Sequence, residues 1–273
     1  MEARVAESGG SSLYETVVDE RLLEDPFFYG HRWVEVETAD GVDWEQVPLT
    51  EDDLLDPQEG DKVSEHTLHH QVVRWIEVML EVLYANRGLV DVLVGGNLKI
   101  LWRQQPGKKR LRRPAPDVCI IPQVKDPHAY RKSFDEAKEG TRPIFVLEVT
   151  SEATDNTDKN RKPRVYERAG VEEYFLLDTL AKPWTLTGRR LYPKTGRYRK
   201  IQPDDDGRVL AETLEVRWGI GEDGASVVLV DERTGEELMD SLALDKARQA
   251  AEKAQKAAEA EIERLKALLA KRS

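Results

Sequence analysis

The sequence has one cysteine in 273 residues, so no intramolecular disulfide can form. Cys119 sits in the apolar run Val118-Cys119-Ile120-Ile121, where a thiol serves packing rather than nucleophilic attack, and this argues against redox chemistry. Long apolar runs are also missing. No stretch reaches the roughly 20 residues that cross a bilayer, and the opening MEARVAESGGSS lacks the apolar centre of a secretion signal. These absences point to a cytoplasmic protein with no membrane partner. Positive charge is in deficit: the formal net charge is −11, which at first disfavours a polyanionic partner. The distribution changes that reading. Residues 1–65 hold 19 acids against 4 bases, residues 66–239 hold 27 against 29, and residues 240–273 hold 6 against 8. The acidity belongs to the N-terminal arm, and a nucleic-acid surface on the centre of the chain stays open.

What is present suits one sizeable core with appendages, 40% hydrophobic and 34% charged. Charge and periodicity divide the chain into an acidic extension (1–62), a central domain (63–239) and a helical tail (240–273). In the extension, Trp33 to Glu37 alternates like an exposed strand, with a turn at Ala39-Asp40-Gly41-Val42. Thr50 is placed to cap a helix that starts at Glu51-Asp52-Asp53 and stops at Pro57.

The central domain opens on an amphipathic helix, Glu65 to Asn86, whose stripe runs through Leu68, Val72, Trp75, Ile76, Met79, Leu80 and Leu83. His66, His69 and His70 occupy its first turns. His66 and His70 have metal-ligand spacing, but no carboxylate or cysteine nearby completes a zinc site. Short strands follow at Leu89 to Val94, Asn97 to Trp102 and Asp117 to Ile121, a spacing that predicts an α/β or mixed α+β sheet. Between the last two lies RQQPGKKRLRR, containing Lys108, Lys109, Arg110, Arg112 and Arg113. It suits phosphate binding and an exposed hairpin loop equally well. A helical piece is expected at Tyr130 to Lys138.

The stretch Pro143 to Asp178 predicts a strand, a crossover helix stopped by glycine and a second strand, a right-handed βαβ unit. Glu148 interrupts the first strand, and a carboxylate in a buried strand requires a partner. Asp158, Lys162 and Tyr166 follow at four-residue spacing, on one face of the helix. Pro163 directly follows Lys162, so the helix either begins near there or loses a backbone hydrogen bond, which would distort the one-face geometry. Antiparallel strand signals come after it: Trp184 to Thr187, Tyr192 to Tyr198 and Ser226 to Asp231. Asp204-Asp205-Asp206-Gly207 reads as a solvated turn, since it lacks the spaced ligands of a calcium loop. The tail from Ser241 is helical throughout. Its alanine seam suits pairing of two subunits or packing back on the domain.

An aspartate leading one strand, a glutamate in a nearby strand and a lysine on the next helix form the residue set of metal-assisted phosphodiester hydrolysis. Two carboxylates hold a hard Mg²⁺, and a lysine orients water and offsets phosphoryl charge. Four stretches carry a resemblance: Ala115-Pro116-Asp117-Val118; Val146-Leu147-Glu148-Val149-Thr150-Ser151; Asp158 with Lys162 and Tyr166; and Gly170 to Asp178. They resemble the Uma family of putative restriction endonucleases, a branch of the PD-(D/E)XK nuclease superfamily. Val47 to Asp61 and the helical tail resemble outlying parts of its longer members.

The resemblance implies a restriction-endonuclease-like core with an added antiparallel β region and a C-terminal helix. It further implies a Mg²⁺-dependent endonuclease acting on DNA, with Mn²⁺ as a substitute ion. Asp117 and Glu148 match the metal-binding acids, and Lys162 matches a catalytic lysine moved from position 150, where this chain has Thr150. Asp158, Tyr166 and His69 match supporting positions. The rival expectation is a catalytically weak or inactive nuclease-fold module for binding or assembly, with the tail as the surface that would pair a homodimer.

Overall fold

The computed structural model describes residues 30–38, 41–50, 52–56, 62–63, 67–103, 111–152 and 154–238. The helical tail, His66 and the bases Lys108, Lys109 and Arg110 therefore lie outside the described residues. The centre is a six-stranded mixed sheet built from β4 (Leu93–Gly96), β6 (Val118–Ile121), β8 (Phe145–Val149), β9 (Glu173–Asp178), β10 (Thr185–Tyr192) and β11 (Arg197–Lys200). Their order across the sheet is β11-β10-β9-β8-β6-β4. Within this sheet, among the described residues, β8 and β9 are the pair that runs parallel, which is what a βαβ crossover requires. The fold is a mixed α/β one, as the patterning indicates.

Two helices cover the two faces. Helix α1 (Thr67–Asn86) lays Val72, Val73, Ile76, Met79, Leu80 and Leu83 against Phe145, Leu147 and Val149 of β8. The opposite face carries Val146 of β8 with Tyr174 and Leu176 of β9, and receives Tyr166 and Ala169. These come from helix α3 (Lys162–Ala169) in the crossover. Every β8 residue is buried, so the strand has no solvent face on which to place a charge. Successive side chains alternate sides, and Glu148 therefore shares the α3 face with Val146. Gly170 ends α3 with a positive φ of 82°, a left-handed geometry that glycine adopts without strain.

A four-stranded antiparallel sheet, β12 (Val209–Ala211), β13 (Val216–Ile220), β14 (Val227–Asp231) and β15 (Glu237–Leu238), packs on the α1 side. Trp218 of β13 stacks on Phe145 at 5.5 Å between ring centroids and meets Phe175 at a tilt, 5.8 Å away. A hairpin of β1 (Gly30–Thr38) and β2 (Gly41–Pro48) precedes the core and pairs with the short β3 (Lys62–Val63). Among the described residues no helix is long and apolar enough to cross a membrane.

Several expectations are corrected. The segment after Thr50 forms one 3₁₀ turn, Asp53–Leu55, and Thr50 does not cap it. Its backbone N and hydroxyl both donate to Asp53 instead, at 2.8 and 2.5 Å, which reverses the capping geometry. Residues 41–48 are a strand that pairs antiparallel with β1, Gly41 lying opposite Thr38. The strand expected over 97–102 shrinks to β5, Ile100–Leu101, paired with β7, Phe134–Asp135. The helical piece expected at 130–138 is the single turn α2, Glu136–Glu139, capped by Asp135.

Arg87 fastens the end of α1 to the outer sheet. Its guanidinium reaches the Asp231 carboxylate at 2.7 Å and the carbonyls of Leu214 and Glu215 at 2.6 and 3.1 Å. Burial pushes the Asp231 carboxyl up, but the hydrogen bond from Arg87 and the one from the Arg233 backbone outweigh it and hold it below the usual range. A depressed folded-state pKa means that this pair stabilises fully above the unfolded value and stops doing so as pH falls through the folded one. Arg87→Ala should lower stability by about 3 kcal/mol near neutral pH, the scale of breaking a buried pair. Thermal melts should show wild type losing more stability than Asp231→Asn between about pH 5 and pH 3. Parallel pH curves for the two proteins would contradict this role.

Candidate active site

Six side chains from four segments meet under the α3 face of the sheet, and none is more than 5% exposed. Asp117 immediately precedes β6, and its Oδ2 accepts from the backbone N of Val149 at 2.7 Å. That bond ties the start of β6 to the end of β8. His69, in the first turn of α1, places Nε2 3.2 Å from the same Oδ2. Glu148 is fully buried and both of its oxygens are engaged: Oε2 by the Lys162 ammonium at 2.8 Å, Oε1 by the Tyr166 hydroxyl at 2.6 Å. Lys162 also contacts Asp158 Oδ1 at 2.8 Å.

The local helix geometry explains how these groups converge. A π-helical turn, Thr157–Arg161, leads directly into α3. Pro163 lies in the first turn of α3, where a missing backbone N–H costs nothing. The wider turn still leaves Asp158 and Lys162 on one face, and Tyr166 follows one turn later. Such turns recur where a helix must re-aim a functional group. Lys159 braces the turn by bonding Asp155 and Asp178, at 2.5 and 2.8 Å.

Charge is the unusual property of the site. Asp117, Glu148 and Asp158 are three buried carboxylates facing one ammonium. If all three are ionised and His69 is neutral, two negative charges remain uncompensated in a region screened from water. Burial drives the Glu148 carboxyl well above its ordinary value. Lys162 opposes that shift, and Asp117 and Asp158 add to it. Burial likewise raises Asp158 to about 6, against the pull of Lys162. For Asp117 burial acts upward too, but the bond from His69 and the charge of Lys162 win and hold it low. Burial lowers Lys162, yet the carboxylates of Asp158, Glu148 and Asp117 more than reverse this and keep it cationic.

Position 150 takes no part in the network. The Thr150 hydroxyl donates to Asp178 at 3.0 Å and accepts from the Thr179 backbone at 3.0 Å, stitching β8 to the end of β9. Of the expected phosphate-binding bases, Arg113 bonds Asp56 at 2.9 Å and Arg112 approaches Asp52 at 3.9 Å. Neither joins the carboxylate network. Tyr174 does, although the residue pattern assigned it no role. Its hydroxyl donates to the Asp158 carbonyl at 2.6 Å, and its ring stacks on Tyr166 at 5.7 Å. Period-two alternation with Leu176, the register partner of Glu148, is the signal that could have found it.

Cys119 is buried and unreactive, with burial pushing its thiol up to about 12. The expected solvated turn at Asp204 is an Asx turn, whose carboxylate accepts from the backbone of Asp206 and Arg208. Among the described residues no group of three or more His, Cys, Asp or Glu side chains converges as a ready-made metal cage. The donor chemistry nonetheless suits a hard divalent ion: the oxygens on offer are carboxyl oxygens, and three such groups face one ammonium.

No curated protein matches this chain. Among solved structures, a putative nuclease belonging to DUF820 from Anabaena variabilis is similar, with 13% identity and a TM-score of 0.41 over 61% of this chain and 91% of that chain. The model of the Uma2 family, described as "Putative restriction endonuclease", matches residues 61–223, a span that includes all six residues of the buried network, and the chain belongs to that family.

Proposed function

We propose that the buried network is the catalytic centre of a Mg²⁺-dependent endonuclease that hydrolyses phosphodiester bonds in DNA. The observation that supports this reading is the ratio of three buried carboxylates to one lysine. A protein gains nothing in stability by burying three carboxyl groups against a single ammonium, so their retention is best understood through a cationic partner. Asp117 and Glu148 are the residues that would hold the ion, with Mn²⁺ able to replace Mg²⁺. When bound, the ion supplies charge neutralisation and polarises the phosphodiester.

The remaining roles follow from the chain's own groups. Lys162 stays protonated, so it does not take a proton from water. It donates hydrogen bonds and stabilises charge that develops on the phosphoryl oxygens as water adds to phosphorus and the leaving oxygen departs. Asp158 keeps Lys162 in place, Tyr166 orients Glu148, and His69 orients Asp117; all three act as positioning residues.

A second reading, a weakly active or inactive nuclease-fold module for binding or assembly, has one observation in its favour. Both Glu148 oxygens already accept a hydrogen bond within the chain, so a metal would have to share the carboxylate with Lys162 and Tyr166.

Two measurements decide between the readings. Wild type should nick a plasmid in Mg²⁺ or Mn²⁺, while Asp117→Ala and Lys162→Ala should be slower by about 100-fold or more, the scale of losing a transition-state electrostatic group. Equal rates in all three proteins, with melting confirming that each is folded, would sink the catalytic assignment. In calorimetry, wild type should bind Mn²⁺ and Glu148→Gln should not. Saturating ion should also raise wild-type stability by about 2.7 kcal/mol at 100 times its Kd. Absence of any Glu148-dependent binding would favour the non-catalytic module.

A further inference from the structure

On the α3 face, beside the carboxylate network, lies a hollow of about 520 Å³. Arg164 and Glu167 of α3, Arg189 of β10, and Arg197, Tyr198 and Lys200 of β11 line it. Four bases and one acid thus converge on a chain whose net charge is −11. The acid is already used. Glu167 accepts from Arg197 at 2.7 Å and from the Tyr198 backbone at 2.7 Å. Arg164, Arg189 and Lys200 make no ion pair among the described residues.

Two of these three bases are direct register partners on adjacent antiparallel strands, Arg189 opposite Lys200. Like charges in that relation destabilise a sheet unless something anionic lies between them. Arg190, the next residue on the same strand and on its other face, is fully paired, with Glu173 at 2.8 Å and Glu212 at 2.5 Å. Among the described residues, neutralising partners are therefore present on one face of this hairpin and missing at Arg189 and Lys200 on the other. The hollow is joined to the carboxylates by a row of rings. Tyr198 is 6.3 Å from Tyr174, Tyr174 is 5.7 Å from Tyr166, and the Tyr166 hydroxyl is 2.6 Å from Glu148. Across two strand spacings, Arg189 stands on the order of 10 Å from the line of β8, within the reach of a few backbone phosphates.

We propose that this hollow binds the phosphate groups of a nucleic-acid backbone through Arg164, Arg189 and Lys200, and so holds the strand alongside the carboxylate network. The assignment rests on the nuclease reading and adds to it the surface that carries the substrate. Phosphate charge between Arg189 and Lys200 removes their repulsion, and Tyr198 gives the hollow a flat apolar wall.

The test is fluorescence anisotropy with metal-free protein at several salt concentrations, using a 20-base-pair DNA duplex, the same single strand and an RNA of equal length. For the duplex, Arg164→Gln/Arg189→Gln/Lys200→Gln should reduce the slope of log affinity against log salt by about 2.7, or about 0.9 for each phosphate that is no longer neutralised. Lys200→Gln alone should reduce it by about 0.9. Melting temperature should not fall, since an unfavourable charge pair is removed. A control protein with Lys125→Gln/Lys138→Gln/Lys182→Gln, bases that lie outside the hollow, should keep the wild-type slope. Wild-type slopes in the triple variant, or an equal drop in the control, would overturn the assignment and leave the nuclease reading standing. Calorimetry with inorganic phosphate separates the sources: phosphate binding that the triple variant loses, with no change in nucleic-acid slope, would reassign the hollow to a free anion. Failure of wild type to bind any of the three nucleic acids would remove the nuclease reading together with this one.

Discussion

The contact between the Lys162 ammonium and the Glu148 carboxylate, 2.8 Å long and out of water, is the constraint on which the rest of the centre depends. Glu148 cannot face solvent, because β8 is covered by α1 on one side and α3 on the other. A buried carboxylate without a partner costs several kcal/mol, so the crossover helix has to deliver a cation at that height on the strand. Lys162 can do so only if α3 begins at that residue. The π-helical turn before it and Pro163 after it set that starting point. Tyr166 then arrives one turn later to hold the second Glu148 oxygen, and Gly170 returns the chain to β9 beside the strand it left. One electrostatic requirement thus accounts for the start, the facing and the end of the helix.

The same segment is the most legible part of the sequence. Its strand, helix and strand appear where periodicity and the glycine stop put them, and the four-residue spacing of Asp158, Lys162 and Tyr166 survives the π-helical turn. Legibility falls where structure depends on distant partners. Residues 41–48 become a strand because Trp33 to Val36 offer an edge to pair with. The 3₁₀ turn at Asp53–Leu55 stays short because Asp53 turns its carboxylate back to Thr50 and out to Arg32. Strand β13 carries Arg217 between apolar neighbours, and its packing against α1 arises only when the second sheet forms. Asp117, Glu148, Asp158, Lys162 and Tyr166 are visible as candidates from their types and spacing, and His69 only through the family resemblance. The extent of their burial, and hence their surplus charge, cannot be read without the second layer of helices.

The acidity of the N-terminal extension acquires a structural meaning from the ion pairs it makes. Asp56 bonds Arg113 and lies 3.8 Å from Lys99, while Asp52 pairs with Arg161 of the π-helical turn and approaches Arg112. Asp52 and Asp56 act as internal counter-ions for bases bordering the network. This is why Arg112 and Arg113, conspicuous in the sequence, are neutralised in the fold. Arg164, Arg189 and Lys200 are scattered over 37 positions and form no basic motif, yet α3 and the hairpin of β10 and β11 bring them together beside one acid, Glu167, which is already bonded to Arg197. Local charge runs in sequence are therefore a poor guide to local potential here, and the pairing partners decide.

A lysine on the helix, with threonine at position 150 of the strand, also determines what the network depends on. Thr150, at the strand position, spends its hydroxyl on Asp178 and the Thr179 backbone, which locks the parallel pair of β8 and β9 at the end nearest the carboxylates. A lysine on a strand would be placed by the strand alone. Lys162 is placed by how α3 docks, and that docking runs through Tyr166 and Tyr174 to the Asp158 carbonyl and through Lys159 to Asp178. Any change that shifts the crossover helix by a fraction of a turn moves the ammonium away from Glu148, even with every strand residue in place. Packing and charge are coupled through one helix, so the geometry of this network is set as much by Tyr174 and Asp178 as by the acids themselves.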